Sequence, residues 1–218
     1  VINMSLGGGS PSTATQNAIN AVRAQGVIVI AAAGNESTSQ PSYPASYPGV
    51  VSVSATDVVN QLAPYSNFGA FIDVAAPGGN TGVDLTGDNY ADGVLSTAFD
   101  DGSGTAVESL KLYQGTSMAA PHVAGVAALM RSVDPNLSPN DFDALLATGN
   151  ITQDLLNDGP GRNDTFGHGL IDAFKAVNEA NEGGGGGTQV PPILQVTPSA
   201  LNFGAVNTNS ELVAANVG

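Results

Sequence analysis

Ser117 stands within the run Gly115-Thr116-Ser117-Met118-Ala119-Ala120-Pro121-His122-Val123-Ala124-Gly125. Its neighbours carry so little bulk that the backbone of a second molecule can approach closely. A strand-like stretch at 110–114 leads into the run, and an apolar helix expected to reach about residue 133 leaves it. The first amides of a helix have no intrahelical partner and favour negative charge. Ser117 therefore fits either of two roles. It is a helix cap, or it is a nucleophile whose attack creates an oxyanion beside free amides. Pro121 reads as part of the first turn, where a missing N–H costs little. Asn35 follows Gly34 at the end of an apolar run, and it also has two readings. It is a turn residue that tolerates an unusual backbone conformation, or a side-chain amide donor to the same oxyanion.

A nucleophilic serine needs a base, and the chain has two histidines. Five helical residues separate His122 from Ser117, a rotation of about 500°, so the side chains point about 140° apart. His122 is therefore read as hydrogen-bonded within its own motif and not as the base. His168 lies in a glycine-rich turn. The order Ser117, Asp154 or Asp158, His168 imitates the triad of an α/β-hydrolase. The elbow of that fold has Gly where this chain has Ala119, so His168 is read as a packing or surface residue. Asp57, Asp100, Asp101, Asp158 and Asp164 read as plain surface charge.

The elements that would position these residues alternate between strand and helix. Residues 1–6 read as a strand and 12–25 as a helix capped by Ser12 or Thr13, with an apolar stripe at Ala18, Ile19 and Val22. Residues 27–33 are apolar without alternation, as in a strand covered on both faces. Strands are expected at 50–55 and 72–75, and Pro77-Gly78-Gly79 ends the second. An acidic insertion at 80–93, a short apolar run at 94–97 and a polar loop at 99–109 precede the serine helix. Ser138-Pro139 opens a further helix to about residue 148, and 167–180 reads as the last one. The expectation is an α/β fold, a doubly wound and mostly parallel sheet with helices on both faces, whose ligands collect at the C-terminal ends of the strands.

Composition narrows the class. The 218 residues carry a net charge of −14 with five Lys and Arg, which argues against nucleic acid and anionic membrane as partners. Cysteine is absent, so disulfides and thiol chemistry are excluded. No apolar run approaches the roughly 20 residues that span a bilayer. Composition shifts at the five glycines of 183–187, which read as part of a flexible linker.

Several of these segments together resemble the subtilisin-like serine proteases, the subtilases. The resemblance is carried by the serine motif quoted above, by Val1-Ile2-Asn3-Met4-Ser5-Leu6-Gly7-Gly8 and by Ala32-Ala33-Gly34-Asn35-Glu36. Asp73-Val74-Ala75-Ala76-Pro77-Gly78 and Phe166-Gly167-His168-Gly169-Leu170-Ile171-Asp172-Ala173 follow in the same family order. It implies that Ser117 is the nucleophile of a peptide-bond hydrolase and that Asn35 joins the Ser117 amide in the oxyanion hole. It further implies that Ser5, Leu6 and Gly7 offer backbone groups to an extended peptide. Gly7, Gly8, Ala32, Ala33, Gly34 and Ser42 would wall the pocket for the residue before the cut, with Glu36 at its rim. The walls are small, which suggests room for a large apolar side chain, and Glu36 could also admit a basic one. The family's triad Asp and His precede these segments, which implies that they lie upstream of Val1 and that this chain alone is inactive. Residues 1–6 would then form an open apolar edge.

Residues 1–182 are thus expected to be part of a subtilase catalytic domain, 183–192 a linker, and 193–218 the start of a β-sandwich. Pro198-Ser199-Ala200-Leu201-Asn202-Phe203-Gly204 resembles the opening of a bacterial Ig-like module, which supports secretion. Asp84, Thr86, Asp88 and Asp92 resemble the oxygen ligands of a calcium loop, although Asn89 and Leu95 depart from the EF-hand pattern. No cofactor is expected for catalysis. The expected protein is a secreted bacterial endopeptidase, monomeric when full length. The alternative is a non-catalytic homologue that serves binding or display.

Overall fold

In the computed structural model the described residues are 1–183, apart from 101, 103, 105, 106, 158 and 160. The expected Ig-like module, the linker beyond residue 183, Asp101 and Asp158 lie outside them. The elements run β1 (Ile2–Met4), α1 (Thr13–Ala24), β2 (Val29–Ala32), β3 (Val51–Thr56) and β4 (Val74–Pro77). Then come β5 (Val94–Asp100), β6 (Val107–Tyr113), α2 (Thr116–Val133), α3 (Pro139–Ala147), β7 (Thr152–Gln153), β8 (Leu170–Ile171) and α4 (Ala173–Gly183).

Six strands form one sheet in the order β1-β2-β3-β4-β8-β7, parallel except for β7. Both faces are covered, and β2 shows how its sequence serves this. Ile28, Ile30 and Ala32 join the core under α2 with Ala119, Ala120, Val123, Val126, Ala127 and Met130. Val29 and Ala31, pointing the other way, join Ile19 and Val22 of α1. An unbroken apolar run is thus divided by the two-residue period of a strand between two helical layers. β1 is an edge strand, with Val1, Ile2 and Leu6 exposed.

Local chemistry sets the helix ends. Ser12 caps α1 by accepting from the Thr15 amide. Ser138 and Asp141 form a reciprocal capping box at α3, with Pro139 beginning the helix. Scarce cations are spent on carbonyls at element ends. Arg23 donates to Gly49 O, Arg131 to Gly26 O and Leu137 O, Arg162 to Ile72 O and Gly69 O, and Lys175 to Thr152 O.

Two expectations are corrected. The polar stretch at 99–109 is not simply a loop, because β5 and β6 pair antiparallel through Leu95↔Leu112, Thr97↔Leu110 and Phe99↔Glu108. A hairpin satisfies its own backbone whatever the polarity of its side chains. The last helix starts at Ala173, not residue 167, and short β8 precedes it. Gly167 has φ 59°, and a Cβ there would strike the Asp73 backbone. This turn therefore fits only glycine, and the helix waits until Asp172 can cap it by accepting from the Lys175 amide.

Asp73, just before β4, is mostly buried and accepts from the Ser52 amide at 2.8 Å. Burial pushes its carboxyl up to about 6, against the Ser52 amide, with Asp143 adding to the rise and Arg162 opposing it. The fold therefore holds this proton more tightly than the unfolded chain. Its contribution is full below the unfolded pKa and is lost as pH rises through the folded one. Asp73→Asn is expected to stabilise the chain by about 3 kcal/mol at about pH 7.5 and by only about 0.5 kcal/mol near pH 4. Thermal unfolding at both pH values checks this, and an equal loss at both would contradict it.

Candidate active site

Parallel strands end on one side of a sheet, and three chain segments meet there. β1 runs out into Ser5, β2 into Gly34 and Asn35, and β4 into Gly78, whose carbonyl accepts from the Gly115 amide at 3.0 Å. Gly115 is the N-cap of α2, with φ 145°, and makes no side-chain capping bond. Ser117 is therefore not the cap. It is the second residue of the helix, half-buried, and its hydroxyl donates to Ser5 O at 3.4 Å.

Asn35 is oriented by its neighbours. Its Oδ1 accepts from the Thr116 amide at 2.8 Å and from the Thr116 hydroxyl at 2.9 Å. Because a backbone N–H can only donate, the oxygen must face Thr116, which leaves Nδ2 as the outward donor. Thr116 Oγ1 in turn accepts from the Gly34 amide at 3.1 Å. A Cβ on Gly115 would stand 3.6 Å from Ser117 N and 3.7 Å from both Nδ2 and Oδ1 of Asn35, so the Asn35 amide group and the Ser117 amide both lie beside Gly115.

Neither histidine of this chain reaches that pair of amides. His122 Nδ1 bonds Met118 O at 2.8 Å, one turn back along α2. The His168 amide donates to Asp73 O, at the opposite end of β4 from Gly78. Five strand residues place it about 16 Å from the serine end, which removes the α/β-hydrolase arrangement. Burial, and then the Arg162 charge, hold the His168 imidazole below its ordinary pKa. Pro121 is also corrected. α2 begins at Thr116, so the proline sits inside the helix beyond its first turn.

The expected cleft residues fall into one neighbourhood. A Cβ on Gly7 would lie 3.2 Å from Ser42 Oγ and 3.9 Å from Ala32 O, and the Gly8 amide donates to Tyr43 O at 2.9 Å. Ala32 and Ala33 are buried at the end of β2, Leu6 is exposed, and Gly34 and Glu36 flank Asn35.

The model of the Subtilase family matches residues 1–169. The chain belongs to the subtilase family. It is 42% identical over 187 residues to an extracellular protease of Xanthomonas campestris pv. campestris, covering 84% of this chain and 29% of that protein. It is 36% identical over 179 residues to Subtilisin BL of Lederbergia lenta, covering 81% of this chain and 56% of that one. A solved protease of Pseudoalteromonas arctica matches with a TM-score of 0.69 at 42% identity, over 82% of this chain and 50% of that one. The chain thus spans between 29% and 56% of the length of these curated relatives.

Two residues of this subtilase chain that support the site were not read from sequence. Asn67, buried in the loop between β3 and β4, donates to Ala33 O at 3.0 Å and to Glu36 Oε2 at 2.8 Å. Its Oδ1 accepts from the amides of Glu36 at 2.9 Å and Thr38 at 3.3 Å. It clamps both sides of Asn35, and it draws the Glu36 carboxylate inward. Tyr65 accepts from the Gly115 amide at 2.9 Å and donates to Gly79 O at 2.7 Å. Burial outweighs the Gly115 amide and pushes its phenol up to about 12, so it keeps the proton it donates. The only sequence signal was polar residues in a loop between two buried strands, which does not tell a clamp from a solvated turn.

In the acidic loop, Thr86 Oγ1 lies 3.3 Å from Asp84 Oδ1 and 3.0 Å from Asp92 Oδ1, while Asp88 turns its carboxylate to the Tyr90 amide. Desolvation alone would raise Asp84, yet bonds from Gly87, Asn89, Thr86 and Asp88 hold its carboxyl below the ordinary range. Among the described residues no three acidic or histidine side chains group as a metal site requires. As arranged, two carboxylates are a poor donor set for calcium.

Asn67→Ala would strip partners from Ala33 O and from two amides. It is expected to destabilise the chain by about 3 kcal/mol, which denaturant unfolding measures. A loss below about 1 kcal/mol would mean that solvent replaces the clamp.

Proposed function

We propose that the protein containing this chain is a serine endopeptidase with Ser117 as nucleophile. The observation that carries the reading is the Asn35 side-chain amide, oriented by Thr116 with Nδ2 as its donor, close to the Ser117 amide at the start of the serine helix. In the proposed reaction Ser117 Oγ attacks the scissile carbonyl and loses its proton to a base. The carbonyl oxygen becomes an oxyanion that accepts from Ser117 N and Asn35 Nδ2. The amine leaves with a proton, and water hydrolyses the acyl-enzyme. The base and its orienting carboxylate, a His and an Asp, are assigned to residues upstream of Val1. Neither His122 nor His168 serves, so the isolated chain is expected to be inert.

The substrate is an extended peptide laid against residues 5–7, with the side chain before the cut among Gly7, Gly8, Ala32 to Gly34 and Ser42. The small walls suit a large apolar residue, and Glu36 at the rim would also accept a basic one. Catalysis needs no cofactor. A calcium ion at Asp84, Thr86, Asp88 and Asp92 would serve only to stiffen the loop, and the backbone amides already on both Asp84 oxygens weigh against it. Secretion, a monomeric state and a following Ig-like module complete the reading, and the first is supported by the Xanthomonas relative, an extracellular protease.

A fluorophosphonate is expected to label Ser117 of the full-length protein and to leave the isolated chain unlabelled. Asn35→Ala is expected to cut turnover by about 10²–10³, the loss known for a side-chain oxyanion donor in a subtilisin and carried over from there. Mass spectrometry of the adduct and peptide-hydrolysis kinetics check both. An unlabelled full-length protein would point instead to a non-catalytic homologue.

A further inference from the structure

Pro121 creates a gap at the nucleophile. In a regular helix residue 121 would donate its amide to the carbonyl four residues earlier, that of Ser117, and proline has no N–H to give. The gap lies within α2, since the helix starts at Thr116. Another element fills it. Ser5 Oγ, from the end of β1, donates to Ser117 O at 2.7 Å. Asn3 Nδ2 donates to the same Ser5 oxygen at 3.0 Å, which leaves the hydroxyl proton directed at Ser117. In return Ser117 Oγ donates to Ser5 O at 3.4 Å. Ser117 is tied to β1 through both its carbonyl and its hydroxyl.

We propose that the Ser5 hydroxyl, oriented by Asn3, is a positioning residue that replaces the helix hydrogen bond forfeited by Pro121 and thereby fixes the nucleophile relative to the cleft strand. The proposal rests on the reading of Ser117 as nucleophile. Its physical content is the difference between satisfying a carbonyl and placing it. Water could satisfy Ser117 O after loss of Ser5, because the pair is exposed. Water could not hold that carbonyl at a set distance from β1. The loss should therefore appear in the chemical step more than in folding, since small displacements of reacting groups are costly to rate.

The test uses the full-length enzyme, with reactive serine counted by fluorophosphonate titration before each assay. Ser5→Ala is expected to lower kcat on a peptide anilide about tenfold, the change that one lost hydrogen bond produces, with KM and Tm nearly unchanged. Ser5→Thr keeps the hydroxyl and is expected to retain more of kcat than Ser5→Ala does. The decisive arm is Pro121→Ala in the Ser5→Ala background, which returns an amide to Ser117 O within α2 without tying it to β1, and is expected to leave kcat low. If parent and variant titrate equally but kcat is unchanged, if only KM moves, or if Pro121→Ala restores kcat by satisfying the carbonyl alone, the positioning role is overturned. A parent that does not titrate at all overturns the nucleophile reading, and this proposal with it.

Discussion

Asn35 Oδ1 accepts two hydrogen bonds from Thr116, one from its amide and one from its hydroxyl, and so joins the end of β2 to the start of α2. The rest of the site depends on that junction. It turns the Asn35 oxygen toward Thr116 and leaves Nδ2 as the side chain's donor, near the Ser117 amide. The Gly34 amide closes the loop by donating back to Thr116 Oγ1. The junction is possible only because α2 lies close on the sheet, with Ala119 and Ala120 fully buried at the contact. A larger residue at either position would push the helix away and lengthen both bonds.

The parallel sheet then decides what can be collected. Strands running the same way deliver Ser5, Asn35 and Gly78 to one edge, without side-chain contacts among them being needed first. Three polar anchors fine-tune that edge. Asn67 holds the loop around Asn35, Tyr65 holds Gly115, and the Ser5 hydroxyl holds the Ser117 carbonyl. Asp73 and His168 sit at the other end of β4, where burial moves both pKa values toward the neutral form. That end is built for packing, and its titration bears on stability.

Legibility in the sequence tracked how local each cause was. The run at 27–33 announced a doubly covered strand because every position is apolar, and the structure divides it between two layers. Ser138-Pro139 announced a helix start because cap chemistry is confined to a few adjacent residues. The serine motif placed Ser117 at the opening of α2, although its reading as a cap did not survive, since Gly115 occupies that position. The β5–β6 hairpin was missed because its pairing joins residues across a polar span. Asn67 and Tyr65 were missed for a related reason. A buried polar residue in a loop is defined by distant partners, and no short pattern encodes them. Pro121 was placed one turn too early because the helix start could not be set to the residue without the Gly115 backbone.

The central claim is that Asn35 and the Ser117 amide form one oxyanion site beside a nucleophilic hydroxyl. A crystal structure of the full-length protein with a peptidyl boronate tests it most directly. The account predicts a covalent bond from Ser117 Oγ to boron, with one boronate oxygen about 2.7–3.1 Å from both Asn35 Nδ2 and Ser117 N. A boronate bound elsewhere, or an adduct whose oxygens all face away from Asn35, would contradict it.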